Sequence, residues 1–237
     1  MPPSAPVVVM VLLSTIISAC DGLSAAGTAS GRRLKVLCLH GYGQTAAIFR
    51  DRSGGFRKPM KKSQFELFYV DGPFGCTKDG ENEADADADV SRRAWWRGHS
   101  AQTTYPGWPE ARDMLKDLWE REEMDGILGF SQGAGAAAML SAELKPSFAI
   151  FVSGFVPRDE AAAASLLAGV RGVRSLHVIG AGDTLVEPAR SRALAELFDG
   201  AEIVEHEGGH HTPSNAAVRA RMVNFLSAEQ LATAVRS

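Results

Sequence analysis

Cysteine is scarce in this chain, with three among 237 residues. An odd number leaves at least one thiol unpaired, and Cys38 falls inside an apolar run that reads as a core strand, so the pattern argues against a disulfide framework. Charge of one sign is also lacking. The 25 Lys and Arg against 28 Asp and Glu give a net charge of −3 and a pI near 6.1, which supplies no electrostatic reason to bind nucleic acid. The N-terminal apolar stretch, Val7 to Cys20, is shorter than the ~20 residues a comfortable membrane span needs, so no stable span is expected. No Lys or Arg precedes it, so the basic region that opens a signal peptide is missing. Its length nevertheless suits a signal-peptide apolar segment, with Ala25 and Ala26 as small-residue cleavage positions. Ile17-Ser18-Ala19-Cys20 also fits a bacterial lipobox, weakened by the same missing charge. Two readings stand: a leader that directs the chain to the secretory pathway, or a disordered segment ahead of a cytoplasmic enzyme. Residues 1–31 are therefore set apart from the fold, and residues 32–230 are read as one domain.

What the sequence does have is ordinary for a soluble globular protein, at 45% hydrophobic and 22% charged. The length suits one α/β domain with a sizeable core. From Arg32 onward, apolar strand-like runs alternate with helical patterns, which predicts a mostly parallel central sheet with helices on both faces. Strands are expected at Leu34 to Leu39, Phe65 to Val70, Gly126 to Phe130, Phe148 to Val152, Leu176 to Ile179 and Glu202 to Glu205. Helices are expected at Trp108 to Glu123, Asp159 to Leu167, Pro188 to Phe198 and Ser214 to Leu226, the last with Ser214 as N-cap. Phe74 to Trp108 shows no clear period. Within it Lys78 to Val90, rich in Asp and Glu, reads as a solvated acidic insertion, and it lacks the ligand pattern and central glycine of a calcium loop.

The chemistry begins at Gly129-Phe130-Ser131-Gln132-Gly133. An apolar strand precedes this pentapeptide and a helix of small residues follows, the setting of a nucleophile elbow, where a serine sits on a sharp strand-to-helix turn. Gly129 and Gly133 mark positions where a Cβ would collide with neighbouring backbone. A serine hydroxyl is a weak nucleophile at neutral pH and needs a base, and the base needs an orienting acid. Asp183 lies in a glycine-rich turn directly after a core strand, where ligand sites of open α/β sheets form. For the base, three histidines compete in His206-Glu207-Gly208-Gly209-His210-His211. His210, after two glycines that permit a tight loop, is the choice, with His211, which otherwise faces solvent or caps, as the substitute; His206 belongs to the strand end. His206-Glu207-Gly208-Gly209-His210 formally matches a zinc motif, but that motif requires a helix. Two glycines there cost about 2 kcal/mol relative to alanine, and Pro213 follows. An oxyanion hole needs two backbone N–H donors. Gln132, first in the helix, and Tyr42, in the His40-Gly41-Tyr42-Gly43-Gln44 loop, are assigned that role, with His40 fixing the loop. Trp95, Trp96, Phe155 and Trp108 are candidates to line an apolar acyl pocket.

Leu39-His40-Gly41-Tyr42-Gly43-Gln44, Val70-Asp71-Gly72-Pro73, Arg93-Ala94-Trp95-Trp96, the elbow, Val152-Ser153-Gly154-Phe155 and His206-Glu207-Gly208-Gly209-His210 follow one another as in the FSH-type serine hydrolases, small esterases related to the ovarian-tumour-associated hydrolase. The resemblance runs from about Leu34 to Leu226. It implies an α/β-hydrolase fold, a Ser131–Asp183–His210 triad, esterase or thioesterase activity on a small-molecule acyl ester or thioester, and no metal or organic cofactor. The leader and the acidic insertion depart from the family pattern. A catalytically inert ligand binder with the same fold is the alternative from another class, and it would be expected to lack part of the triad. Oligomeric state is left open.

Overall fold

Apolar runs without polar interruption form the middle of the sheet, because strands covered on both faces have no side for water. The computed structural model describes residues 32–62, 65–76, 92–98 and 103–236, so the leader and the Lys78 to Val90 insertion lie outside the described residues. In chain order the elements are β1 (Leu34–Leu39), α1 (Ala46–Arg52), α2 (Gly54–Lys62), β2 (Phe65–Val70), β3 (Phe74–Gly75), β4 (Arg93–Ala94), α3 (Trp108–Glu122), β5 (Gly126–Phe130), α4 (Gln132–Leu144), β6 (Phe148–Val152), α5 (Glu160–Gly169), β7 (Arg174–Gly180), α6 (Pro188–Ala195), β8 (Glu202–His206) and α7 (Ala216–Arg236). Six strands pair in the order β2-β1-β5-β6-β7-β8, every pair parallel, and β3 with β4 makes a small antiparallel ribbon.

The pleat sorts the core into two layers. Val36, Cys38, Leu128, Ile150 and Val178 face one side, where Phe49 of α1, Phe56 and Met60 of α2, and Met222 and Phe225 of α7 cover them. Leu37, Leu39, Ile127, Ala149 and Phe151 face the other, beneath Leu115 of α3, the alanines of α4, Leu166 of α5 and Leu194 of α6. Helix α4 is buried from Gln132 to Ala142, which its run of Gly and Ala permits by letting the helix axis approach the sheet.

The expected architecture is present. Four elements have no counterpart in the sequence reading: α1, α2 and the short strands β3 and β4. The terminal helix is capped by Asn215 rather than Ser214, its Oδ1 accepting the Val218 N–H at 2.8 Å. Among the described residues no helix is long and apolar enough to cross a membrane.

Strand order positions the site. The chain steps outward from β1 to β2, then returns to place β5 on the other side of β1. The loops after β1 and β5 therefore diverge and open a crevice at the C-terminal edge of the sheet, where ligand sites of such sheets form.

Candidate active site

Ser131 joins β5 to α4 with φ 55° and ψ −118°, backbone angles that a residue with a Cβ adopts only under constraint. The Ser131 N–H is held by the Val152 carbonyl at 3.0 Å. A Cβ on Gly129 would overlap the Gly133 carbonyl, and one on Gly133 would overlap the carbonyl oxygens of Leu39 and His40. Both glycines thus carry the close approach of α4 to β1 and β5 that the sequence assigned to them. Gln132 opens α4, and its N–H, in the first turn, has no acceptor within the helix.

Across the crevice, residues 41–44 form a tight turn closed by the Gln44 N–H donating to the Gly41 carbonyl at 3.1 Å, with Gly43 at φ 69°. That bond leaves the Tyr42 N–H outside the turn's own pairing. The turn lies against the elbow, since a Cβ on Gly41 would stand 3.4 Å from the Ser131 Cβ. His40 anchors it. Its Nδ1 donates to the Gly41 carbonyl at 2.8 Å and its Nε2 accepts the Gly72 N–H at 2.9 Å, a pattern only the neutral ring satisfies. Burial lowers the His40 pKa to about 4, against the pull of the Gly41 carbonyl and Asp71. A proton-transfer role would need contact with Ser131; these bonds join two loops instead.

The loops after β7 and β8 clasp each other through glycine. The Ala181 N–H donates to the His206 carbonyl and the Gly182 N–H to the Gly208 carbonyl, at 2.8 and 3.1 Å. A Cβ on Gly180 would stand 2.7 Å from the carbonyl oxygens of both Gly208 and Gly209. That approach brings His210 between Asp183 and Ser131. His210 Nδ1 lies 2.8 Å from Asp183 Oδ2, and His210 Nε2 lies 2.9 Å from Ser131 Oγ. Asp183 Oδ1 accepts the N–H groups of Leu185 and Val186 at 3.0 and 2.9 Å. Burial pushes the Asp183 carboxyl up, but the Val186 N–H, His210 and the nearby Ser153 hydroxyl outweigh it and hold the group below its ordinary range. The Ser153 Oγ is buried without a hydrogen-bond partner of ordinary geometry, so its share is smaller than that of the two bonded groups.

The neighbouring histidines do other work. His206 ends β8, accepts the Gly208 N–H through Nδ1, and meets the His211 ring edge-on at 5.2 Å. His206 to His210 is strand end and loop, so the two histidines of the zinc-like spacing share no helical face. His211 is exposed, as expected, though its ring packs on His206.

A cleft of about 780 Å³ opens over Ser131, bounded by Tyr42, Gln132, Phe130, Leu185, Val186 and His210, with Ile48, Arg52, Arg92 and Thr212 on its rim. The expected aromatic acyl pocket is not this cleft. Trp95, Trp96 and Phe155 are each fully buried in the core, and Trp108 lines a separate cleft of about 300 Å³ beside α3. Trp95 and Trp96 instead brace the site from behind. The Trp95 Nε1–H donates to the His40 carbonyl, and the Gln132 side chain accepts from the Trp95 N–H and donates to the Trp96 carbonyl. The sequence reading missed Arg52 and Arg92; no local motif singles them out, and only the fold brings them to one cleft.

A parallel sheet with an elbow serine at its switch point is the architecture of the α/β-hydrolases. Solved structures that share it include Arabidopsis thaliana SOBER1, with a TM-score of 0.62 at 17% identity over 84% of this chain and 99% of that one. Zea mays acyl-protein thioesterase 2 has a TM-score of 0.58 at 16% identity over 85% of this chain and 95% of that one. Sequence narrows the class to a family. The profile of the FSH1 serine hydrolases matches residues 29–222, and the chain belongs to that family. It is 33% identical over 219 residues to Esterase OVCA2 of Danio rerio, a match that covers 81% of this chain and 96% of the zebrafish protein. Family membership and these relatives support hydrolase activity for the chain.

Proposed function

We propose that the protein is a carboxylic ester hydrolase that works through an acyl-enzyme, with Ser131 as nucleophile, His210 as general base and acid, and Asp183 as the group that orients His210. The observation that carries this reading is the relay of 2.9 and 2.8 Å hydrogen bonds from Ser131 through His210 to Asp183 at the floor of an open cleft. Ser131 Oγ attacks the ester carbonyl as His210 Nε2 takes its proton. Asp183 accepts the Nδ1–H, which fixes the tautomer and stabilises the imidazolium that forms. The oxyanion is held by the N–H groups of Gln132 and Tyr42, the former aided by the positive end of α4. Collapse expels the alcohol, which takes the proton from Nε2. Water then gives its proton to Nε2 as it adds to the acyl carbon, and collapse passes that proton from Nε2 to Ser131 Oγ and releases the acid. An inert ligand binder would have no need for the complete relay.

Thioesters are the second reading, supported by the shared fold of the maize acyl-protein thioesterase. The same groups would act, with a thiolate as leaving group. A fluorophosphonate probe is expected to label the wild-type protein at Ser131. Ser131→Ala is expected to lose both label and ester turnover, and a variant that still labels would overturn the assignment. Matched ester and thioester substrates then rank the two leaving groups.

A further inference from the structure

Among the described residues, the cleft over Ser131 carries positive charge and lacks the Trp95, Trp96 and Phe155 expected to line an acyl pocket there. Two guanidinium groups, of Arg52 and Arg92, stand on its rim, and no Asp or Glu is among the described residues that line it. This charge does not follow from composition, since the whole chain carries −3. Several other arginines pair with carboxylates, among them Arg112 with Asp113, Arg174 with Glu202 and Arg192 with Glu205. Among the described residues, neither Arg52 nor Arg92 has such an ion pair.

Their placement ties both to the reacting centre. Arg92 lies against the turn that carries Tyr42, its Nη1 3.3 Å from where a Cβ on Gly43 would fall. Arg52 ends α1, and its carbonyl accepts the Thr212 hydroxyl at 2.8 Å, two residues beyond His210. The Arg92 charge therefore flanks the oxyanion side of the cleft, and the backbone of Arg52 is tied to the histidine side. Apolar side chains, Ile48, Phe130, Leu185 and Val186 among them, line the rest of it. A guanidinium presents a planar fork that matches carboxylate and phosphate oxygens, and a concave site with charge of one sign concentrates the opposite sign.

We propose that this cleft selects esters or thioesters that carry an anionic group, a carboxylate or a phosphate, near the scissile bond, and that Arg52 and Arg92 are its specificity-determining residues. The proposal rests on the reading of Ser131 as nucleophile. It is tested on the full chain with three matched aryl or alkyl esters: a neutral butyrate, a succinate monoester that adds a carboxylate to the same acyl length, and a butyrate whose alcohol bears a phosphate. Wild-type kcat/KM is expected to favour at least one anionic ester over the neutral one by about tenfold at low salt, and the preference should shrink as salt rises. Preference for the succinate alone assigns the arginines to the acyl side; preference for the phosphate alone assigns them to the leaving group. Arg52→Gln and Arg92→Gln should each reduce the anionic-to-neutral ratio several-fold, mainly through KM. Arg92→Glu, checked for native circular dichroism, should bring the ratio below one. Turnover of the neutral butyrate equal to or better than both anionic esters would overturn the proposal and leave the nucleophile standing. Absence of turnover on all three, together with absence of fluorophosphonate labelling, would overturn the nucleophile reading itself.

Discussion

Ser131 sits in a backbone conformation that costs on the order of 1–3 kcal/mol, and the surrounding contacts must over-determine it for the residue to remain there. Val152 holds its N–H, and Gly133 lets α4 press onto the carbonyls of Leu39 and His40. Those carbonyls belong to the backbone of a central strand and its first loop, so they have nowhere to move. Gly133→Ala is therefore expected to destabilise the fold by about 1–3 kcal/mol or more, the range of overpacking in a filled core. Hydrolase activity should fall further than the folded fraction does, because relief of the clash moves Gln132 away from the Tyr42 turn. Urea denaturation alongside kcat measures both, and an unchanged midpoint would refute the clash. The same logic explains which site residues were readable in the sequence. Glycines at Gly129, Gly133, Gly180, Gly208 and Gly209 each remove a side chain from a close approach, and the pattern they leave brackets Ser131, Asp183 and His210. Arg52 and Arg92 leave no comparable trace, since an arginine in a cleft and an arginine in water have the same neighbours in sequence. The aromatic residues misled for a related reason: apolar character signals burial but not which cavity, and Trp95 and Trp96 went to the core.

Helices α1 and α2 show why whole elements escaped notice. Thr45 caps α1, its hydroxyl accepting the Ile48 N–H at 3.3 Å, but the helix has only seven residues and one buried side chain, Phe49. In α2, Gly54, Gly55 and Pro59 all read as breakers. Gly55 is needed because Pro213 and Ser214 approach within 2.9 Å of its Cβ position, so the residue type answers to a neighbouring loop rather than to the helix. The central strands β1, β5, β6 and β7 were legible because burial on both faces writes a near-continuous apolar run, whatever lies around it. The segment around β4 is stabilised in yet another way, through a side chain far along the sequence. Gln132 satisfies the buried Trp95 N–H and Trp96 carbonyl at 3.0 and 3.3 Å. Gln132→Met, close in volume, leaves both unsatisfied and should lower stability by about 2–6 kcal/mol, from ~1–3 per orphaned group. Limited proteolysis should then cut near residues 92–98 before the sheet unfolds, and a variant as resistant as wild type would show that water replaces the side chain there.

Across the whole molecule, the histidines set how stability responds to acid. Burial lowers the pKa of His40 to about 4 and that of His177 to about 3, and burial together with the charge of His211 lowers that of His206. Each ring is therefore neutral in the folded protein at a pH where the unfolded chain, with an ordinary histidine pKa near ~6.5, binds a proton. Below that pH the unfolded state takes up protons the fold refuses, so stability declines with acidification. The slope approaches ~1.4 kcal/mol per pH unit for each such histidine, until the folded rings protonate in turn. Asp183 acts in a lower window, because its carboxyl is held below the ordinary range. The stability it contributes is present above its unfolded pKa of ~3.9 and is lost only as pH falls through the folded value. Between pH 6.5 and 4 the buried histidines govern. His177 separates cleanly from the rest, since its ring packs between Phe151 and Phe198, with centroids at 4.9 and 5.3 Å, and its one side-chain bond is to Ser175. In His177→Phe the ring contacts persist and the titration is gone. The unfolding free energy of wild type from urea denaturation should fall between pH 7 and pH 5, and in His177→Phe that fall should be smaller by up to ~2 kcal/mol, one histidine's proton over about 1.5 pH units. Identical pH dependence in the two proteins would mean that His177 is protonated inside the fold, and the sheet layer beneath α6 would have to open to admit the charge.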